Sequence, residues 1–340
     1  MPFNIKMNPE KKEALKPGLD RALVVLSGTA LALIAVAIQT ASSSDNIQQA
    51  VQDHCGTHHF SFSSDDIFPT LPTIAEDTEK RWEMIQNFSD LRRDFVDYNW
   101  EDKKDPSGKT VITYSYDSPI GNFPDDPDAK DYRVLSSAQI KGVELAFEEI
   151  SKVSNIEFRK AQSEDKADIT IRSADLSEVP TERGGIGLGG YAVYPVKDKG
   201  SDIVLDHKDT ANPVPGSFDF LTILHEIEHT LGLKHPHTPY ASKTDDPNLG
   251  IFDEEIDSIN VTVMSYEGSH DAKVGGEIAL KFDGGAPHTP MALDIAALRL
   301  IYRMNADHNV EDNTYKIDGN KRKIFAISDA GGTDAIDTTS

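Results

Sequence analysis

The sequence contains one cysteine in 340 residues, which excludes a disulfide within a single chain. It is also poor in basic residues, because 34 lysines and arginines stand against 57 aspartates and glutamates, for a formal net charge of −23. The phosphates of nucleic acids and of anionic membranes repel a chain this acidic, and we expect neither as a partner. The other fractions, 38% hydrophobic and 27% charged, are typical of a globular domain with flanking segments.

Residues 1–44 have the pattern of a targeting segment. Five basic residues precede an uncharged run at residues 22–38, and small residues follow it. This pattern predicts a signal peptide that is cleaved near residues 41–43, and therefore a secreted, extracellular protein. The run is also close to the ~20 residues that span a bilayer, so a membrane-anchored, extracytoplasmic protein is the alternative. Contact with a membrane is expected only if residues 22–38 persist as an uncleaved anchor.

The chemistry is concentrated in one stretch, which reads HEIEHTLGLKH. His225 and His229 are four residues apart, so on a helix both imidazoles face one point, as two zinc ligands do. Glu226 can reach a metal-bound water and act as general base. Gly232 can take the left-handed conformation that ends the helix, which lets His235 return as a third ligand. Three protein ligands leave one position open, as in a catalytic zinc site.

The residues around this motif have the periodicity of an amphipathic helix. Its apolar residues recur at helical spacing and predict a buried stripe; they are Phe220, Ile223, Leu224, Ile227 and Leu231. The histidines and Glu226 fall on another face. Such a helix can bury one side in a core and present the other to a cleft. The alternative is a surface helix whose histidines are incidental.

The extended motif resembles the signature of the metzincin zinc peptidases. The segment 263–266 is similar to their Met-turn, which implies that Met264 lies beneath the zinc and that Tyr266 reaches the metal. Pro236, directly after the third histidine, is the pattern of the serralysins, a family of secreted bacterial metalloproteases of peptidase family M10. The segment 289–297 is similar to the last helix of their protease domain.

Glu228 departs from the serralysin pattern, which usually has glycine at this position of the motif. Its carboxylate is expected either to be solvated or to crowd the zinc helix. The departure bears on the level of activity more than on metal binding.

The resemblance implies a fold of the α+β class. We expect a twisted mixed sheet with a backing helix, followed by the zinc helix, the Met-turn and a C-terminal helix, all within a catalytic domain at residues 95–310. Residues 45–94 are then a pro-segment or linker. Residues 311–340 resemble the truncated start of an RTX-like β-roll, because 329–337 is similar to one degenerate calcium-binding repeat, and a single repeat should bind calcium poorly.

Local patterns agree with this order of elements. Alternation and β-forming residues predict strands, at 111–116, 156–158, 167–171 and 201–206. A capping box of Ser136 and Gln139 predicts a long helix behind it, and Pro290 is expected to be the first residue of the last helix. A further helical pattern covers residues 76–97. Asp206 and His207 could bind metal, although a solvated strand end is the favoured interpretation.

The segment Tyr191-Ala192-Val193-Tyr194 alternates and ends at a proline, which predicts an edge strand. Resemblance to the metzincins places this strand along the active-site cleft. Because an edge strand has unpaired backbone groups, a substrate peptide can lie along it as an added strand. The expected partners are therefore proteins or peptides.

Cys55 lies in the predicted pro-segment, followed by Gly56. A thiolate is a strong zinc ligand, and a Cys-Gly upstream of a metzincin domain resembles the cysteine switch of the matrixins. The hypothesis is that Cys55 occupies the open zinc position and keeps a precursor latent. A free cysteine in a flexible segment, or a small accessory metal site with His58 and His59, are the alternatives.

Acidic residues cluster before the Met-turn, at Asp253, Glu254, Glu255 and Asp257. Calcium prefers several oxygen ligands, so this cluster is a possible calcium site, and a solvated acidic loop is the favoured alternative.

The predicted function is that of a secreted zinc-dependent endopeptidase with one catalytic zinc. His225, His229 and His235 hold the metal, and Glu226 is the general base on the metal-activated water. By resemblance, Tyr266 stabilises the oxyanion. The alternatives are a catalytically weak or idle zinc-binding scaffold of the same fold, a membrane-anchored precursor kept latent by Cys55, and a matrixin-like or astacin-like peptidase.

Overall fold

A computed structural model describes residues 99–118, 120–162, 167–182, 184–238, 257–267, 286–316, 324–332 and 334–337, and the backbone of three short N-terminal strands. The strands are β1 (Phe3–Asn4), β2 (Leu23–Gly28), β3 (Ala32–Ala37), β4 (Thr110–Ser115), β5 (Lys130–Arg133), β6 (Ile156–Lys160), β7 (Ile169–Asp175), β8 (Gly190–Val196), β9 (Gly200–Asp206), β10 (Thr314–Lys316), β11 (Phe325–Ile327) and β12 (Ala335–Asp337). The helices are α1 (Ser137–Val153), α2 (Phe218–Thr230) and α3 (Ala292–Tyr302), with a turn of 3-10 helix at Trp100–Asp102.

The largest sheet has six strands and is mixed. Its main path runs β6-β4-β7-β9-β8, and β5 pairs with the end of β7. Neighbours along β6, β4, β7 and β9 are parallel, whereas β8 is antiparallel to β9. Among the described residues β8 has a strand on one side only, so the predicted edge strand is confirmed.

Helix α1 packs against this sheet and begins at the predicted capping box. Ser136 Oγ accepts a hydrogen bond from the Gln139 backbone N–H at 3.2 Å, and Gln139 Oε1 accepts one from the Ser136 backbone N–H at 2.9 Å. The apolar stripe of α1 is buried at Val143, Phe147 and Ile150. These residues belong to a core that also takes side chains from β4, β7, β9, α2 and α3.

Two buried polar contacts tie the ends of the helices together. The indole N–H of Trp100 donates to the carbonyl oxygen of Thr230, the last residue of α2, at 2.7 Å. The Tyr302 hydroxyl, at the end of α3, donates to the carbonyl oxygen of Leu231 at 2.8 Å. Because both acceptors lie at the end of α2, these contacts fix the point where the chain leaves the motif helix.

Most predicted elements appear with shifted ends, and two local predictions are wrong. Helix α3 begins at Ala292 rather than Pro290, because the carboxylate of Asp294 accepts a hydrogen bond from the Met291 backbone N–H at 2.8 Å and caps the helix there. Asp206 is not solvated. It is buried and accepts hydrogen bonds from the backbone N–H groups of Leu176 and Lys208.

The terminal strands form two small sheets. β12 pairs with β1 and β10, and β2 pairs with β3 and β11. In the described part of the chain, no helix is both long and apolar enough to span a membrane. Cys55, the whole helical pattern at 76–97 and the acidic residues 253–255 lie outside the described residues, so the hypotheses about them stay predictions.

Candidate active site

Helix α2 carries the motif, and its ends are set by local chemistry. Ser217 Oγ accepts a hydrogen bond from the Phe220 backbone N–H at 3.1 Å and caps the first turn. At the other end, Leu233 N–H donates to Glu228 O at 3.1 Å and Gly232 N–H donates to His229 O at 3.0 Å. This pair of bonds is a Schellman motif, and Gly232 has the left-handed φ of 98° that the motif requires. The chain therefore reverses after α2, as predicted.

The reversal brings the three predicted ligands together. His235 Nε2 lies 3.0 Å from His225 Nε2 and 2.9 Å from His229 Nε2. All three side chains are buried. The three histidines are therefore able to direct one nitrogen each at a single metal ion.

The other ring nitrogens show that these Nε2 atoms are acceptors. His225 Nδ1 lies 2.8 Å from the Val263 carbonyl oxygen, and His229 Nδ1 lies 2.7 Å from the Leu233 carbonyl oxygen. A carbonyl oxygen only accepts, so each Nδ1 carries the proton and each Nε2 presents a bare lone pair. Lone pairs about 3 Å apart repel one another unless a cation lies between them, and neutral imidazole nitrogens are what Zn²⁺ binds.

Burial keeps the rings in the neutral form that ligation needs. It lowers the pKa of His225 to about 3 and the pKa of His229 well below its ordinary value. Burial also lowers the pKa of His235, where the nearby carboxylate of Glu182 opposes the shift. The site thus fits a divalent transition metal, with nitrogen ligands typical of zinc.

Glu226 lies next to His225 in the chain and is buried. Its side chain is 6% exposed, and Oε2 has no hydrogen-bond partner among the described residues. Burial, and then the negative charge of Glu182, raise the pKa of Glu226 to about 8. A carboxyl group with a pKa near 8 changes its protonation state close to neutral pH, as a group that transfers protons does.

The edge strand β8 runs beside these groups. A Cβ atom placed on Gly190 would lie 3.0 Å from Glu226 Cγ, so the backbone of β8 approaches Glu226 closely. The Tyr194 ring meets the His229 ring edge-on, with centroids 5.4 Å apart. Tyr191 points elsewhere, with its hydroxyl oxygen 3.0 Å from that of Tyr132. Val193 uses its carbonyl oxygen to accept from Ser201 Oγ, and Ala192 packs on the core.

The predicted Met-turn closes the other side of the candidate site around the three histidines. Met264 is fully buried, and the preceding carbonyl, that of Val263, is the acceptor for His225. The Tyr266 ring lies with its centroid 4.4 Å from that of His235. Asp294 of α3 holds the turn by accepting a hydrogen bond from the Val263 backbone N–H at 2.8 Å.

Comparison with known proteins agrees with this geometry. A family model described as matrixin, of peptidase family M10, matches residues 128–243, which include α2 and the three histidines. Serralysin G of Dickeya chrysanthemi is 27% identical over 255 residues, which cover 70% of this chain and 51% of that protein. A serralysin of Photorhabdus sp. (strain Az29) is 28% identical over 263 residues, with 71% and 51% covered. The chain is related to the serralysins of peptidase family M10.

The chain spans about half the length of these curated serralysins. Among solved structures, high choriolytic enzyme 1, a hatching enzyme zinc-protease of the medaka Oryzias latipes, matches 60% of this chain and 94% of its own with 17% identity and a TM-score of 0.32. The mixed sheet, the motif helix and the Met-turn of this serralysin relative form the α+β metzincin fold.

Glu228, the departure from the serralysin motif, is fully buried, so the expectation that it is solvated is wrong. Neither of its carboxyl oxygens has a hydrogen-bond partner among the described residues. Burial raises its pKa well above the ordinary value, and the nearby charge of Asp294 adds to the shift. Glu228 is therefore enclosed within the protein, close enough to Asp294 of α3 for the two carboxyl groups to interact electrostatically.

Sequence reasoning missed a group of residues outside the motif. Glu182 Oε2 lies 3.2 Å from His235 Nδ1 and 3.9 Å from His237 Nε2. Asp257, considered above as a calcium ligand, lies 3.6 Å from His237 Nδ1 and accepts a hydrogen bond from Ser265 Oγ. The His237 ring stacks on that of His235, with centroids 5.1 Å apart. The H-P-H spacing could have drawn attention to His237, whereas no sequence pattern indicates Glu182.

Proposed function

We propose that this protein is a zinc-dependent endopeptidase that hydrolyses internal peptide bonds of proteins. The observation that carries the proposal is that His235 Nε2 lies within 3.0 Å of the Nε2 atoms of both His225 and His229, with the buried carboxyl group of Glu226 next to His225 in the chain. The relationship to the serralysins and to the matrixin family model supports the same function.

His225, His229 and His235 would hold the metal, which when bound supplies a Lewis acid that activates water and polarises a carbonyl group. Glu226 takes the proton of the attacking water and passes it to the leaving amine. Tyr266, whose ring packs on His235, supplies a hydroxyl that stabilises the developing oxyanion. The substrate main chain pairs with β8, which brings a peptide bond to Glu226 through the close approach of Gly190.

Cleavage of unfolded casein by the purified full chain carrying Cys55→Ala, in which a latent precursor cannot mask activity, tests this proposal. We expect cleavage at internal bonds that a zinc chelator abolishes and that zinc restores. Glu226→Gln should retain bound zinc and lose at least about 100-fold in kcat, because it cannot take up the proton. Glu148→Gln, an exposed change on α1 with the same loss of charge, is the control and should cleave as the parent does.

The alternative function is that of an idle zinc-binding scaffold. Glu228, buried next to His229, is the feature that favours it. Zinc bound at one equivalent with no cleavage of casein or of any peptide in an unbiased peptide library would support the scaffold and contradict the endopeptidase.

Latency, location and calcium extend the proposal. We infer from the N-terminal pattern that the protein acts outside the cytoplasm, either free or anchored by residues 22–38.

Cys55 is proposed to block the open zinc position in the uncleaved chain, so Cys55→Ala should raise the activity of that chain. Equal activity of the two would exclude this role. Calcium binding by the acidic cluster before the Met-turn stays a prediction, checked by calcium titration of the zinc-loaded protein.

A further inference from the structure

The three zinc ligands differ in what holds their second ring nitrogen. His225 and His229 donate to backbone carbonyl oxygens, those of Val263 and Leu233. His235 faces a side chain instead, with Nδ1 3.2 Å from the carboxylate of Glu182. We propose that Glu182 is a positioning residue of the metal centre, which accepts the Nδ1 proton of His235 and aims Nε2 at the zinc. This inference rests on the proposed zinc site.

His235 needs such a partner more than the other two ligands do. His225 and His229 lie on α2, where helix geometry already fixes the direction of both side chains. His235 follows the helix end, so its direction depends on contacts with other segments. A carboxylate that accepts from a ligand imidazole fixes the tautomer and the ring orientation, and it makes the ligating nitrogen more basic.

Glu182 is held in a tight hairpin that leads into β8. Pro180 and Ile186 form an antiparallel bridge, and Gly187 N–H donates to Val179 O at 2.8 Å. Gly184 N–H donates to Thr181 O at 3.0 Å and closes a turn around Glu182. Gly184 has a φ of 81°, which glycine adopts without strain. The backbone of Glu182 is thus fixed, although its side chain is 58% exposed.

The distances around Glu182 agree with this assignment. Its carboxylate oxygen Oε2 lies 3.2 Å from His235 Nδ1, which is within hydrogen-bond distance. His237 lies farther from it, at 3.9 Å, which is beyond hydrogen-bond distance. His235 is therefore its main partner.

A second metal ion held by Glu182, His235 and His237 is the competing interpretation, because their ligand atoms lie within 4.8 Å of one another. Zinc at the proposed site would exclude it. Once His235 Nε2 ligates zinc, Nδ1 carries the ring proton and has no lone pair for another metal. The position of Nδ1 beside a carboxylate fits a donor.

Zinc dissociation constants of the full chain, measured by competition with a chromophoric chelator, test the inference. We expect Glu182→Ala to weaken zinc binding by about 10- to 100-fold, which is the usual cost of losing such a partner. Glu182→Gln keeps an acceptor oxygen and loses the charge, so its affinity should lie between those of Glu182→Ala and the parent. The melting temperature of the metal-free protein should be the same in all three, because the pair acts on the metal.

Glu178→Ala is the matched control. Glu178 lies four residues earlier, is 63% exposed and pairs with Lys130 rather than with a histidine. The Glu178→Ala substitution removes the same charge from the same region and should leave the zinc affinity unchanged. An affinity of Glu182→Ala within twofold of the parent would overturn the inference. So would two zinc ions in the parent and one in Glu182→Ala at unchanged affinity. Failure of the parent to bind zinc would instead overturn the proposed function.

Discussion

The Nε2 atoms of His225 and His235 lie 3.0 Å apart, although ten residues and the end of a helix separate the two histidines. The Schellman motif at the end of α2 makes this approach possible, because it reverses the chain within three residues. Two lone pairs at this distance are stable together when a cation lies between them. The geometry of a helix end is therefore part of the metal site.

Gly232→Ala tests the contribution of the helix end. Alanine is strained at a φ of 98°, and we expect a loss of about 1–2 kcal/mol in the free energy of unfolding, measured by urea denaturation. Zinc affinity should fall as well, because His235 lies only three residues after the substituted position. Gly108→Ala is the control: its φ is 85°, its Cβ would meet open space, and it should cost similar stability without changing zinc affinity. Equal zinc affinity of both variants would contradict the prediction.

Gly190→Ala tests the close approach of β8 to the general base. The added Cβ would lie 3.0 Å from Glu226 Cγ, so the strand or the carboxylate must shift. We expect kcat/KM on casein to fall at least about tenfold, since small misplacements of a catalytic group are costly. The number of zinc ions bound per chain should be the same in Gly190→Ala as in the parent.

Gly189→Ala is the neighbouring control, because its Cβ would make an ordinary contact of 3.4 Å with Thr222. It should retain most of the activity. If the two variants cleave casein at the same rate, β8 does not position the substrate beside Glu226 as proposed.

Glu228→Met tests the cost of a buried carboxyl group without a partner among the described residues. Removing it should stabilise the metal-free protein by about 2 kcal/mol at pH 8, measured by urea denaturation. Glu148→Met, at an exposed position of α1, should change stability by less than about 0.5 kcal/mol.

The gain in stability from Glu228→Met should increase with rising pH. Burial raises the pKa of Glu228 in the folded state above its unfolded value of 4.5. Below pH 4.5 the carboxyl group is neutral in both the folded and the unfolded state, so its ionisation does not change the free energy of unfolding. As the pH rises above it, the unfolded chain ionises first, so the folded state of the parent loses relative stability. The stabilisation by Glu228→Met should thus be larger at pH 8 than at pH 5, and a gain that shrinks with rising pH would contradict the assignment.

The features of the fold and of the site that the sequence predicts are those determined by residues close to one another in the chain. The capping box of Ser136 and Gln139, the spacing of His225 and His229, and the glycine at 232 each depend on residues within a few positions of one another. Periodicity and capping rules address such short distances directly. The edge strand was predicted for the same reason, since alternation and a terminal proline are local features.

The missed parts depend on contacts between distant segments. Glu182 is 53 residues from its partner His235, and no period or motif relates the two positions. The burial of Glu228 was missed because the helix pattern predicted one polar face open to solvent, whereas every residue from Phe220 to Thr230 is buried. The start of α3 was misplaced because Asp294 caps it at Met291, and the sequence rule favoured the proline.

Titration of the metal-free protein with zinc, followed by the initial rate of casein cleavage, tests the central claim most directly. The Cys55→Ala full chain is the sample, so that a latent precursor does not mask activity. The account predicts that the rate rises linearly to one equivalent of zinc and then stays level, and that Glu226→Gln in the same background binds that equivalent without cleaving. Cleavage that persists without zinc, or one tightly bound equivalent with no cleavage, would contradict it.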